Sequence, residues 1–88
     1  MDTISALKID LGITTTAYDE RLQRYLQNAR NEITREGVTL NENDDDLVIM
    51  YAAWLWRRRD SGQGMPRMIR WALNNRVFQE HMERDSND

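Results

Sequence analysis

The chain has 88 residues, a formal net charge of −3 and no cysteine, and its isoelectric point is about 5.1. This length is that of one domain, the missing cysteines exclude disulfides and thiolate metal sites, and the acidic balance argues against a dedicated nucleic-acid binder. The longest apolar run has ten residues, about half of the roughly 20 that cross a bilayer. Because the N-terminus also lacks the pattern of a signal peptide, we expect neither a secretion signal nor a membrane span.

A short first helix is predicted over residues 3–10. Apolar side chains recur at residues 4, 7 and 11, and these intervals of three and four residues give one apolar stripe on a helix. Asp2 or Thr3 can cap its start, and Gly12 can end it. The β-branched residues 13–16 that follow have no second strand-like run to pair with, so we expect them to form a connector.

A second helix is predicted to begin near Thr16 or Ala17 and to end before Gly37. Thr16 and Asp19 approximate a capping box, in which each side chain accepts a hydrogen bond from the backbone N–H of the other residue. One face of this helix is apolar and the other is charged or polar, which is typical of a helix with one buried side. The apolar face comprises Tyr18, Leu22, Tyr25, Leu26, Ala29 and Ile33.

An acidic loop, residues 38–46, separates the second helix from the third. Its run of Asn and Asp is similar to a calcium-binding EF-hand loop. However, the sixth position is Asp46 where glycine is needed, and the twelfth is Ala52 where glutamate is needed. The EF-hand interpretation therefore fails, and we expect the loop to place negative charge at the N-terminus of the next helix, where the helix dipole favours it.

The third predicted helix, residues 44–59, carries the ten-residue apolar run 47–56. Acidic side chains occupy its first turn and arginines its last, as the helix dipole favours. Apolar residues lie on all its sides, so the helix should be buried on both sides. Trp54 and Trp56 are two residues apart and cannot face the same way. Either one belongs to the core and the other to an interface, or both belong to the core.

The fourth helix is predicted to open at Met65 and Pro66, after a turn that contains glycine, and to run to about residue 81 or 82. It has two apolar faces. The first holds Ile69, Ala72, Leu73 and Val77, and the second holds Met68, Trp71, Phe78 and Met82. The polar residues 83–88 are expected to form a frayed tail.

These elements predict an all-α fold in which a short N-terminal helix and three longer helices pack as a small bundle. We expect residues 1–82 to form its single domain and residues 83–88 to form a disordered tail. Two helices that are apolar on two sides give this short chain surplus apolar surface, which favours self-association or a partner. The alternative is a compact monomer whose first helix and connector cover the surplus. The candidate interface residues are Ile49, Trp56, Met68, Trp71, Phe78 and Met82.

The sequence offers no matched catalytic set, so we expect neither an enzyme nor a cofactor. The single histidine, His81, is near the end of the last helix, where a helix-terminal cation or a partly exposed side chain is the simpler interpretation. Gly62 and Gly64 lack the spacing and the lysine of a phosphate-binding loop. No metal site is expected either.

A cluster of three arginines at the end of the third helix has two interpretations. It can contact phosphate in a salt-dependent, sequence-independent way, or it can complement the helix dipole and pair with an acidic neighbour. One candidate neighbour is the acidic part of the loop, residues 42–46, within the chain or on the next subunit. The two groups are Arg57, Arg58 and Arg59, and Asp44, Asp45 and Asp46. A helix-turn-helix over residues 47–82 is disfavoured, because its recognition helix would be too apolar to read a DNA groove.

The packing residues follow a characteristic order along the chain. The most telling element is the helix with Met50-Tyr51-Ala52-Ala53-Trp54-Leu55, followed by a final helix that Met65-Pro66 opens. The other residues of the pattern are Leu7, Lys8, Leu11, Tyr18, Asp19, Leu22, Leu26, Ala29, Ile33, Arg57, Ile69, Leu73, Asn74 and Arg76. This order resembles that of the small helical head–tail connector, or adaptor, proteins of tailed bacteriophages and prophages.

The resemblance implies a structural virion protein. Such proteins assemble as a ring beneath the portal, a dodecamer by this resemblance, where they extend the DNA channel and bind a tail-side connector or tail-completion protein. They are often monomeric before they meet the portal. The resemblance also implies a location at the head–tail junction of the virion and assembly in the host cytoplasm. The alternatives are a small helical DNA-binding or regulatory module that uses the arginine cluster, and a generic helical interaction domain.

Overall fold

The computed structural model describes residues 2–58 and 64–86, with side chains described as far as residue 82. These residues form four α-helices and one turn of 3₁₀-helix, and they include no strand. The helices are α1 (Thr3–Leu11), α2 (Asp19–Arg35), α3 (Asp45–Arg58) and α4 (Arg67–Ser86), and the 3₁₀ turn is Glu42–Asp44. The predicted all-α fold, with one short and three longer helices, is confirmed.

The ends of α1 follow from its terminal residues. The Asp2 carboxylate accepts a hydrogen bond from the backbone N–H of Ser5 at 2.8 Å, which satisfies one of the free donors of the first turn. At the other end, Gly12 takes a left-handed conformation with φ of 72°, which costs glycine little because it has no Cβ. The helix therefore begins and ends within one residue of its predicted bounds.

The start of α2 differs from the prediction. The helix begins at Asp19, and its N-terminal flanking residue, Tyr18, makes no side-chain cap. The predicted capping box of Thr16 and Asp19 does not form, because the Thr15 hydroxyl accepts from the N–H of Ala17 at 3.2 Å and builds a local turn instead. The Asp19 carboxylate is paired with the Lys8 ammonium at 2.8 Å, which ties α2 to α1.

A capping box does form, but at the 3₁₀ turn that leads into α3. The Asn41 side chain accepts from the N–H of Asn43 at 2.8 Å, and the Asp44 carboxylate accepts from the N–H of Asn41 at 3.0 Å. Asp44 is therefore part of the cap and does not belong to the α-helix itself. The predicted end of α3, Arg59, lies outside the described residues.

The centre of the fold is α3, which packs against α1, α2 and α4. Its buried residues lie on two sides of the helix, and they are Leu47, Val48, Ile49, Tyr51, Ala52, Ala53, Leu55 and Trp56. The predicted face of α2 meets them, since Leu22, Leu26, Ala29 and Ile33 are fully buried. The prediction that the central helix is buried on both sides is confirmed over the described residues.

One side of α4 completes the core. Ile69 and Leu73 are buried against the other helices, and Ala72 and Val77 are half-buried beside them. The helix begins directly after Pro66, as predicted. It continues to Ser86, and so it includes four residues, 83–86, that were expected in the tail.

Candidate partner-binding surfaces

Trp56 lies in the core of the monomer. Only 8% of its surface is exposed, and its indole meets the ring of Tyr18 at 5.7 Å and the ring of Tyr25 at 5.4 Å, both edge to face. Ile49 is also buried, with 9% exposed. Two of the six candidate interface residues are therefore core residues, because α2 and the residue before it cover the side of α3 that carries them.

Trp54 is the more accessible of the two tryptophans on α3. Its ring packs edge to face on Tyr51 at 5.3 Å, and its Nε1–H donates to the carbonyl oxygen of Gly64 at 3.2 Å. The guanidinium of Arg58 lies 4.7 Å from the centre of the ring, within the range of a cation–π interaction. This residue joins the end of α3 to the segment that precedes α4.

The other four candidate interface residues form an apolar stripe on the solvent side of α4. Met68, Trp71, Phe78 and Met82 expose 70%, 67%, 63% and 57% of their surfaces. The stripe lies opposite the buried Ile69 and Leu73, and the exposed Asn75 stands in its middle. We call Met68, Trp71, Asn75, Phe78 and Met82 the outer stripe. An exposed apolar stripe of this kind is typical of an interaction site.

A polar cluster holds α4 on the loop between α2 and α3. Arg76 of α4 is paired with Asp44, which is 7% exposed, and donates to the carbonyl oxygen of Thr39 at 3.1 Å. The carboxylate of Glu80 accepts from the N–H of Thr39 at 2.6 Å. We call Thr39, Asp44, Arg76 and Glu80 the α4 clamp.

The α4 clamp was not predicted from the sequence. Arg76 and Glu80 are four residues apart, which places both on one face of a helix, and this spacing is the available signal. Their partners on the loop are 32 to 41 residues away in the chain, so the spacing does not identify them. Asp44 is thus a structural residue that anchors α4.

The described arginines of the basic cluster do not pair with the acidic loop of the same chain. Arg57 donates to the carbonyl oxygen of Asp10 at 3.2 Å, and Arg58 stacks on Trp54. Asp45 and Asp46 are exposed at the opposite end of α3. The interpretation that the loop and the cluster pair within one chain is therefore wrong for Arg57 and Arg58, and Arg59 lies outside the described residues.

A cleft of about 350 Å³ lies between α2 and α3. It is lined by Tyr25, Asn28, Asn31, Glu32, Arg35, Leu55 and Arg58. Beside it, burial and then the negative charge of Glu32 raise the pKa of Tyr51 to about 12. The cleft mixes two arginines with one glutamate, and the described part of the chain contains no cluster of acidic or histidine side chains able to hold a metal ion.

The comparison with protein families connects this architecture to a known class of proteins. The family model of the phage gp6-like head-tail connector proteins matches residues 1–63. The chain belongs to this family. The connector match confirms the resemblance seen in the sequence, and it spans α1, α2 and α3 but ends before α4. No match was found among the curated proteins or among the solved structures.

Membership of the connector family gives the chain a structural role in the joining of phage head and tail. Among the described helices, none is long and apolar enough to span a bilayer. The family core carries the buried Trp56 and the charged ends of α3, whereas the outer stripe lies beyond residue 63. Of the large apolar side chains that the described residues expose, Ile9 and Tyr18 therefore lie within the family match, and Met68, Trp71, Phe78 and Met82 lie beyond it.

Proposed function

We propose that this connector assembles as a ring below the portal, extends the DNA channel and binds a tail-side connector or tail-completion protein. The observation that carries the proposal is the family match over α1, α2 and α3. A dodecamer is the expected ring by resemblance to the family. The protein then acts at the head–tail junction of the virion, and its assembly takes place in the host cytoplasm.

A ring needs two different surfaces on each subunit, because its contacts run head to tail. The two ends of α3 provide two surfaces of opposite charge. One end exposes Asp45 and Asp46, and the other carries Arg57 and Arg58. We propose that the acidic end of one subunit lies beside the arginines of the next, with Arg59 included in the basic end. Such pairs favour one orientation of encounter more than they add affinity.

The outer stripe of α4 is then the surface for the portal or the tail-side protein. Tryptophan and other aromatic side chains often provide most of the energy of an interface when they become fully covered. Trp71 and Phe78 are the large aromatic side chains of the stripe, and both expose more than 60% of their surface. Their exposure supports a role as anchors in such a contact.

The alternative of a DNA-binding module receives less support from the structure. The exposed side of α4 carries Arg67 and Arg70 beside four large apolar side chains, whereas a surface that binds the DNA backbone is mainly basic. A net charge of −3 suits a channel wall along which DNA slides without being held.

The proposal is tested by removal of this protein from an otherwise intact phage. We expect DNA-filled heads without tails, and we expect the purified chain to restore their joining. Phe78→Glu should fail to restore it, because a charge in the stripe cannot be buried without cost. Ile9→Glu is the matched control, since Ile9 is 67% exposed on α1 and should restore joining. Normal joining of heads and tails without the protein would refute the proposal.

A further inference from the structure

The outer stripe follows the spacing of a coiled-coil seam. Its members Met68, Trp71, Asn75, Phe78 and Met82 are separated by three, four, three and four residues. This is the a and d pattern of the heptad repeat, with residues 68, 75 and 82 at a and residues 71 and 78 at d. The side chains that hold α4 on its own domain, Ile69 and Leu73, lie on the opposite side.

Because its inner side is already docked, α4 presents this seam as a preformed helix. A two-heptad peptide alone would have to meet the cost of helix formation before it could pair. Here the core contacts and the α4 clamp already stabilise the helix. The stripe is therefore a rigid seam that lacks only a second helix.

Asn75 identifies which helix completes the seam. It occupies the middle a position, and an asparagine buried opposite an apolar side chain would leave its amide unpaired. In a parallel, in-register pair of two copies, Asn75 faces Asn75, and each amide can both donate and accept. In an antiparallel pair, Asn75 would instead face Trp71 or Phe78. A single asparagine at an a position is known to fix register and orientation in this way.

We infer that the outer stripes of two copies pair in parallel, with Asn75 opposite Asn75. The flanking positions agree with this arrangement. In a parallel pair Arg67 of one copy lies beside Ala72 of the other, and Asn74 lies beside Gln79, so that no like charges meet. Asn74 and Gln79 can also form a hydrogen bond across the pair.

The size of the stripe predicts a weak and reversible pair. Four large side chains that are each more than half exposed bury on the order of 500 Å² per copy, or roughly 1,000 Å² in total. This is close to the lower limit for a specific interface. We therefore expect monomers at low concentration and dimers at high concentration.

The inference goes beyond the proposed function, because it concerns the chain before it joins a particle. A two-fold pair uses the same surface on both copies and cannot extend into a ring. The pair would cover the outer stripe until a portal or tail-side protein replaces the second copy. It also involves the part of the chain beyond the family match, which ends at residue 63.

Cysteine cross-linking tests the pair directly, because the chain contains no cysteine of its own. Met82→Cys places a thiol at an a position, where a parallel pair brings the two Cα atoms within the roughly 4.4–6.8 Å that a disulfide spans. Ile9→Cys is the control, since Ile9 is as exposed as Trp71 but lies on α1. Under mild oxidation we expect Met82→Cys to form covalent dimers at least tenfold faster than Ile9→Cys. Equal rates would overturn the inference.

Sedimentation equilibrium of the full chain tests the role of Asn75. We expect Asn75→Lys to weaken dimerisation at least tenfold, since two ammonium groups would face each other, and Phe78→Glu to abolish it. A dimer that persists in Phe78→Glu, or a wild-type chain that stays monomeric at millimolar concentration, would overturn the inference. If that monomer still joins the portal of its phage, pairing fails and the proposed function stands. If the dimer forms but heads and tails join without the protein, the proposed function fails and pairing stands.

Discussion

The helices α3 and α4 are both apolar on two sides, but they differ in how much of this apolar surface the chain itself covers. α3 lies among α1, α2 and α4, and its two sides are covered within one chain. α4 lies at the edge of the bundle, and only the side with Ile69 and Leu73 is covered. The difference comes from the number of neighbours and not from the pattern of residues. A two-sided apolar helix therefore predicts burial in the final assembly, but it does not say whether the chain itself provides the cover.

Replacement of Trp56 tests the covered side of α3 and has the largest expected effect. Trp56→Ala removes a side chain that packs on Tyr18 and Tyr25 and leaves a cavity, so we expect a loss of about 3–5 kcal/mol in the free energy of unfolding. In a domain of this size the midpoint of thermal unfolding should fall by at least about 12 °C. Circular dichroism during heating measures it. A loss under about 1 kcal/mol would place Trp56 outside the core.

Arg76→Ala tests how α4 is held at the edge of the bundle. The change leaves the buried carboxylate of Asp44 without its cation, and we expect a loss of about 2–3 kcal/mol in the free energy of unfolding. Urea unfolding followed by fluorescence measures it. Arg70→Ala is the matched control on the same helix, because Arg70 binds Glu36 at 3.2 Å in an exposed pair. Such pairs contribute less than about 1 kcal/mol, and an equal loss in both variants would contradict the α4 clamp.

The same comparison shows what the sequence can and cannot predict. The number and order of the helices and the buried face of α2 follow from apolar periodicity, which is a local property. The bond of Arg76 to Asp44 joins residues 32 apart, and no local pattern identifies it. Trp56 and Trp71 illustrate the limit for the candidate site. Both lie on the second apolar side of a helix. Tyr18 and Tyr25 cover Trp56, whereas Trp71 is 67% exposed, and this difference arises only from tertiary packing.

The capping of the helices shows a second limit. Thr16 and Asp19 have approximately the spacing of a capping box, as do Asn41 and Asp44. Only the second pair forms, because Thr15 provides a competing local turn before α2 and Asp19 binds Lys8 of α1. Side chains that can cap a helix can equally stabilise a turn. Which outcome occurs depends on partners elsewhere in the fold.

The burial of α3 should also be measurable from the pH dependence of stability, because the hydroxyl of Tyr51 is buried in this helix. Burial and then the charge of Glu32 raise its pKa from 10.0 to about 12, so the unfolded chain loses this proton first as pH rises. The contribution of Tyr51 to stability is therefore complete below pH 10 and is lost as pH approaches 12. We expect thermal stability to fall more steeply over this range in the wild type than in Tyr51→Phe. Parallel curves for the two proteins would show that the hydroxyl is not shielded in the folded state.

Trp71→Ala should have the smallest effect on folding, and this makes it the sharpest counterpart to Trp56→Ala. The side chain is 67% exposed on the monomer, and surface changes of this kind stay within about 0.5 kcal/mol. Assembly should respond in the opposite order, because a tryptophan that becomes covered at an interface often costs more than about 2 kcal/mol when it is truncated. Thermal unfolding of the dilute monomer measures the effect on stability, and the joining of heads to tails by the same purified protein measures the effect on assembly. If Trp71→Ala lowered stability as much as Trp56→Ala, α4 would have to be covered on both sides within one chain, and the contrast between the two helices would disappear.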